Sequence, residues 1–86
     1  MKIVQVTWVD SAHSCGWKSY QEFKDFAEDG DLKLYTVGLL AWETEYYIVV
    51  IQSAGGNNID AMMKIPSCAI SEIKDLGNLD IQIEPD

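Results

Sequence analysis

The sequence predicts a mainly β (α+β) domain: a small, strongly bent antiparallel barrel with one short helix after the first strand. Three observations carry this. Residues 37–52, Val-Gly-Leu-Leu-Ala-Trp-Glu-Thr-Glu-Tyr-Tyr-Ile-Val-Val-Ile-Gln, hold two runs of β-branched, aromatic and leucine residues around a short polar break, the pattern of a buried hairpin. Residues 63–73, Met-Lys-Ile-Pro-Ser-Cys-Ala-Ile-Ser-Glu-Ile, supply two further short strands on either side of Pro66. Ser19-Tyr-Gln-Glu22 has the spacing of a capping box and opens the one segment of helical periodicity.

Taken in order, the first strand covers residues 2–9. Val4, Val6 and Trp8 recur at period two and form its inward face. Residues 10–18, Asp-Ser-Ala-His-Ser-Cys-Gly-Trp-Lys, lose periodicity and consist largely of small and turn-forming types, so they form a loop. The helix spans about 20–28, with Tyr20, Phe23, Phe26 and Ala27 on one side and Gly30 placed to end it in a left-handed turn. At two and a half turns it is marginal alone, so it is expected to lie on the barrel with its phenylalanines plugging an end or flank.

Strands over 32–42 and 46–52 are apolar on both faces, and Gly38 marks a sharp bend where the sheet curls. Glu43-Thr-Glu45 connects them. Gly55-Gly-Asn-Asn58 supplies the next reversal, leading to a strand over 59–65 that Pro66 ends or turns into a short helical turn. A last short strand covers 69–74. An acidic tail follows over about 77–86, in which Ile81 and Ile83 alternate with polar residues as an edge strand would.

With 86 residues and a hydrophobic fraction of 48%, the chain supports one domain with one modest core. Its apolar runs fall far short of the ~18 residues of a membrane span, and the alternating start lacks a signal-peptide core. The expected location is the cytoplasm, where Cys15 and Cys68 remain free thiols. There are 14 acidic residues against six lysines and no arginine, a net charge of −8. Duplex nucleic acid is repelled by such a chain, which also lacks the arginine fork for phosphate and guanine edges. The acidity serves solubility, or else suits a basic partner.

The succession of a strand, a short helix, a Gly-bent strand, a hairpin, a Gly-Asn turn, Ile65-Pro66 and a closing Ile70-Ser-Glu-Ile strand resembles the small SH3-like and Sm-like barrels over about residues 34–76. That resemblance implies assembly by joining barrel edges, hence a homo-oligomer. Sm-like proteins also bind single-stranded RNA, but the Arg-Gly or Lys-Gly dipeptide and the Asn of their RNA pocket are not found where the alignment places them. Val6-Thr-Trp-Val-Asp-Ser11 with Gly16-Trp17 is similar to the start of short bacteriophage proteins. This second likeness implies an accessory protein acting in the host cytoplasm, some of which antagonise host defence.

For chemistry, His13 and Cys15 beside Asp10 contain the beginning of a nucleophilic site, but no oxyanion element or orienting residue accompanies them. Zinc would require Cys68 and a carboxylate to be gathered by the fold. The chain is therefore read as non-enzymatic, without metal or cofactor. Trp8, Trp17 and Trp42 with Tyr35, Tyr46 and Tyr47 are numerous for this length, and most belong to the core. Tyr46 and Tyr47, like Met62 and Met63, point to opposite faces, so one of each pair reaches the surface or a subunit contact. Trp17, in a polar loop, is a candidate for stacking on a ligand.

The leading expectation is a small nucleotide signal sequestered between subunits. Trp17 would stack on the base, Lys18 and Lys64 would meet phosphate, and Ser11, His13, Ser14, Asn57 and Asn58 would line the site. The alternative is an acidic protein–protein interaction module that blocks a basic host protein. An Sm-like RNA binder and a Cys/His enzyme rank below both.

Overall fold

The computed structural model describes residues 1–10, 16–30, 32–81 and 83. It is mainly β, with five antiparallel strands in one sheet and a single short helix. In chain order these are β1 (Lys2–Asp10), α1 (Tyr20–Glu28), β2 (Leu32–Glu43), β3 (Tyr47–Gly55), β4 (Asn58–Pro66), a 3-10 turn (Ser67–Ala69) and β5 (Ile70–Asn78). The sheet order is β4-β3-β2-β1-β5, so the first strand lies between the second and the last.

The register assigns the two faces. Val4 pairs with Gly38, Val6 with Thr36 and Trp8 with Leu34, which puts the period-two apolar residues of β1 on one side. There Val4, Val6, Ile48, Val50 and Ile65 form the core, with Trp8, Leu40 and Ile70 packed against it. Val6 and Ile65 are fully buried although no helix covers them. The sheet must therefore curl over its own inner face. Thr36 Oγ1 on β2 lies 3.8 Å from Met63 Sδ on β4, two strands away, whereas a flat sheet would separate them by roughly 9–10 Å.

Gly38 makes the curl possible. A Cβ built there would stand 2.6 Å from Val50 Cγ1 and 2.7 Å from the Ile51 carbonyl oxygen. Beside it, the β2–β3 register begins only at Leu39, and Gln52 Nε2 donates to the Val37 carbonyl at 2.7 Å. A bulge between Leu40 and Trp42 bends β2 further, and two more interrupt the β1–β5 pairing. At one of these, the Ser71 hydroxyl donates to the Thr7 carbonyl at 3.1 Å.

The connections follow from side-chain chemistry. Thr44 Oγ1 accepts from the amides of Tyr46 and Tyr47, each at 3.2 Å, closing the β2–β3 turn. Gly55 pairs with Asn58 across a two-residue link that starts with Gly56 at φ +57°, where a type II′ turn requires glycine. Pro66 ends β4, and the Ser67 amide donates to the Tyr46 carbonyl at 2.8 Å. Ala61 also has a positive φ, +56°, within β4. A left-handed alanine costs about 1–2 kcal/mol, and glycine's extra chain entropy offsets part of this. Ala61→Gly is therefore expected to stabilise the protein by about 0.5–1 kcal/mol, read as a rise in urea midpoint with unchanged slope.

Three expectations are corrected. The helix begins as foreseen, with Ser19 Oγ accepting the Glu22 amide at 3.2 Å, but it does not plug the sheet. Phe23 and Phe26 remain 59% and 49% exposed, because the curled sheet fills its own interior and leaves them no vacancy. Gly30 supplies no left-handed cap. The helix stops at an extended Asp29, whose amide donates to the Asp25 carbonyl and whose carboxylate accepts from the Gly30 amide at 3.1 Å. Finally, β5 continues to Asn78, into the segment read as tail, because β1 offers pairing positions as far as Lys2. Leu79 and Met1 then exchange hydrogen bonds of 2.7 and 2.8 Å, and residues 79–81 and 83 add no strand.

Candidate functional site

Residues 16–29 form an arm. The radius of gyration is 17.1 Å and the extents are 54 × 25 × 20 Å, against a radius of about 12 Å for a compact chain of this length. Trp17 is completely exposed, and no described residue of α1 is buried. Tyr20, Phe23 and Phe26 nonetheless keep the spacing of one helical stripe, with the Tyr20 and Phe23 rings 6.1 Å apart.

The polar side of the arm is satisfied locally. Gln21 Nε2 donates to Asp25 Oδ1 at 2.8 Å, and Lys24 meets Glu28 at 4.0 Å. Acidic groups dominate: Glu22, Asp25 and Glu28 lie on the helix and Asp29 at its end, with no basic residue in the last turn. Lys18, Glu22, Phe23 and Phe26 enclose an open groove of about 470 Å³. The arm thus presents apolar rings rimmed by carboxylates, with Lys18 as the one cation among the described residues of the groove.

Of the residues foreseen for a ligand site, Trp17 and Lys18 belong to this arm. Ser11, His13 and Ser14 lie outside the described residues, as does Cys15. Asn58 lines a shallow recess with Ser53, Ala54, Gly55, Ile59 and Asp60, which shares no described residue with the arm groove. Lys64 lies further along β4, with its Nζ 4.5 Å from the centroid of the Tyr47 ring. Asn58 and Lys64 are six positions apart on one strand, or roughly 20 Å, so within one copy they do not meet a common ligand of nucleotide size. Tyr46 is the exposed member of its pair, in the turn before β3.

A second apolar surface lies on the other side of the sheet from the core. On the outer face Ile3, Leu39, Ile51 and Met62 fall in one register line across β1 to β4. Leu39 and Ile51 are buried there, outside the inner core. Ala41, Trp42, Val49, Ile51, Ile59, Met62 and Ile83 wall a recess of about 440 Å³. The signal for it in the sequence is the hydrophobicity of both faces of β2 and β3.

Cys68 is a free, exposed thiol within the 3-10 turn. Among the described residues, no three His, Cys, Asp or Glu side chains stand close enough to hold a metal ion, and no helix is long and apolar enough to cross a membrane. No protein family model, curated protein or solved structure matches the chain.

Proposed function

We propose that the chain is a non-enzymatic binding module that engages a basic partner protein through the acidic, aromatic arm of residues 17–29. One observation carries this: four aromatic side chains, Trp17, Tyr20, Phe23 and Phe26, share an arm on which all four are exposed. Each such ring gains about 1.5–3 kcal/mol on full burial, and a nine-residue helix is marginal without a tertiary surface. Its carboxylates add long-range attraction to a cationic surface and select against acidic ones.

The accompanying fold reading is an SH3-like/Sm-like barrel. It is supported by the curl at Gly38, the strand order and the 3-10 turn between β4 and β5. The Val6-Thr-Trp-Val-Asp-Ser11 start supports a phage-type accessory role in the host cytoplasm, blocking a host defence protein.

The test is retention of a stoichiometric protein partner from host lysate on the immobilised chain, titrated with salt. Wild type is expected to release the partner as salt rises, and Phe23→Ser/Phe26→Ser to lose at least ten-fold in affinity while keeping its circular dichroism. Absence of a saturable, salt-sensitive partner would defeat the reading.

A second reading rests on the Lys18–Phe23–Phe26 groove, whose rings and cation suit a flat anionic ligand such as a nucleotide. Calorimetry with mono-, di- and cyclic nucleotides decides it: binding weakened by Lys18→Ala supports this reading, and no heat removes it.

A further inference from the structure

The outer face of the sheet raises a question that the arm does not answer. Tyr35 and Val37 on β2, Trp42 beyond them, and Ile59 and Met62 on β4 are all exposed around the buried pair Leu39 and Ile51. Together they offer on the order of 500 Å² of apolar surface, a patch of the size that is often a functional contact in a soluble protein. With the polar neighbours that rim it added, such a patch approaches the roughly 800 Å² per partner of a stable dimer.

Charge selects the occupant. Two copies of a chain with net charge −8 repel one another, so they can associate only where the facing surfaces carry no concentration of carboxylates. The arm fails that condition, since Glu22, Asp25, Glu28 and Asp29 would be opposed by their own copies. The outer face meets it: among the described residues, the recess walled by Ala41, Trp42, Val49, Ile51, Ile59, Met62 and Ile83 contains no charged side chain, and the nearest ionisable groups of β4, Asp60 and Lys64, are of opposite sign. A concave apolar recess flanked by a protruding Trp42 and Met62 can also be self-complementary, as an isologous contact requires.

We infer that the outer face of β2, β3 and β4 is the contact between two copies of this chain, with Trp42 and Met62 of each seated against the recess of the other. This leaves both arms free for a foreign partner. It goes beyond the arm reading and stands or falls separately, because the two contacts respond to salt in opposite directions.

Sedimentation equilibrium from low to high sodium chloride tests the inference. Wild type is expected to dimerise, with association tightening several-fold as salt screens the repulsion between copies. Trp42→Glu and Met62→Glu are each expected to sediment as the 9.7 kDa monomer, while Phe23→Glu still dimerises. Hydroxyl-radical footprinting of wild type keeps the test independent of variant folding: Met62 and Trp42 should lose reactivity as protein concentration rises, and Trp17 should not. A monomer at all concentrations and salts overturns the inference. So does a dimer that survives both glutamates, one lost in Phe23→Glu, or unchanged reactivity at Met62 and Trp42 across dimerisation.

Discussion

Replacing Gly38 with alanine is expected to destabilise the fold by about 3 kcal/mol, the upper end of the range for overpacking. The added methyl would sit 2.6 Å from Val50 Cγ1, and the Ile51 carbonyl oxygen, at 2.7 Å, is backbone that cannot swing aside. Val50 is buried in the core, so its displacement passes to Ile48 and Ile65 instead of to solvent. Backbone conformation is not the cause, since Gly38 is absent from the residues with positive φ. Thermal unfolding followed by circular dichroism checks this. A drop of more than about 10 °C is expected for a domain of this size, and a shift within about 2 °C would show that the sheet curls without a bare position at residue 38.

The second large effect is a reversal of the usual order of side-chain size. Ile65→Ala is expected to cost about 2–5 kcal/mol, because Ile65 is fully buried against Val4, Val6, Ile48 and Val50 and its loss leaves a cavity the strands cannot collapse. Phe23→Ala removes a larger side chain and is expected to change the stability of the isolated protein by less than about 0.5 kcal/mol, as for surface positions. Alanine's better helix propensity even favours the substitution. Urea titrations of the two variants side by side decide the matter. Comparable losses would mean that Phe23 is part of the core in solution and that the arm is packed down.

Much of the sheet was legible in the sequence because strand faces follow from alternation. Val4, Val6 and Trp8 were placed inward by period alone, and Pro66 marked the end of β4 because it has no amide to donate. The capping box located the helix start for a similarly local reason: Ser19 and Glu22 are neighbours in any helix that begins there.

Whether an apolar stripe is covered is a different kind of fact. Periodicity shows that Tyr20, Phe23 and Phe26 share a side, but the vacancy to receive them depends on whether strands distant in sequence have already filled the interior. They have, through Ile48, Val50 and Ile65. The ligand site was the least legible for the same reason. Lys64 and the Gly-Asn turn carry suitable chemistry, yet the extended geometry of β4 holds Asn58 and Lys64 apart, and Tyr47 engages the lysine.

The placement of β1 between β2 and β5 has a consequence for how the chain acquires its structure. The β1–β2 and β3–β4 pairings join consecutive strands, and β3–β4 is linked by a two-residue turn. The β1–β5 ladder instead joins opposite ends of the described sheet, with Val6 opposite Ile73 and Lys2 opposite Asn78. Its loop-closure entropy must be met before any of its contacts form, so this ladder is expected to complete late and to govern the folding rate. Until then Val4 and Val6, the earliest core residues in the chain, stay accessible to water and to other chains. The interval in which β1 waits for β5 is thus the step at which a crowded, still-folding population is most exposed to mispairing.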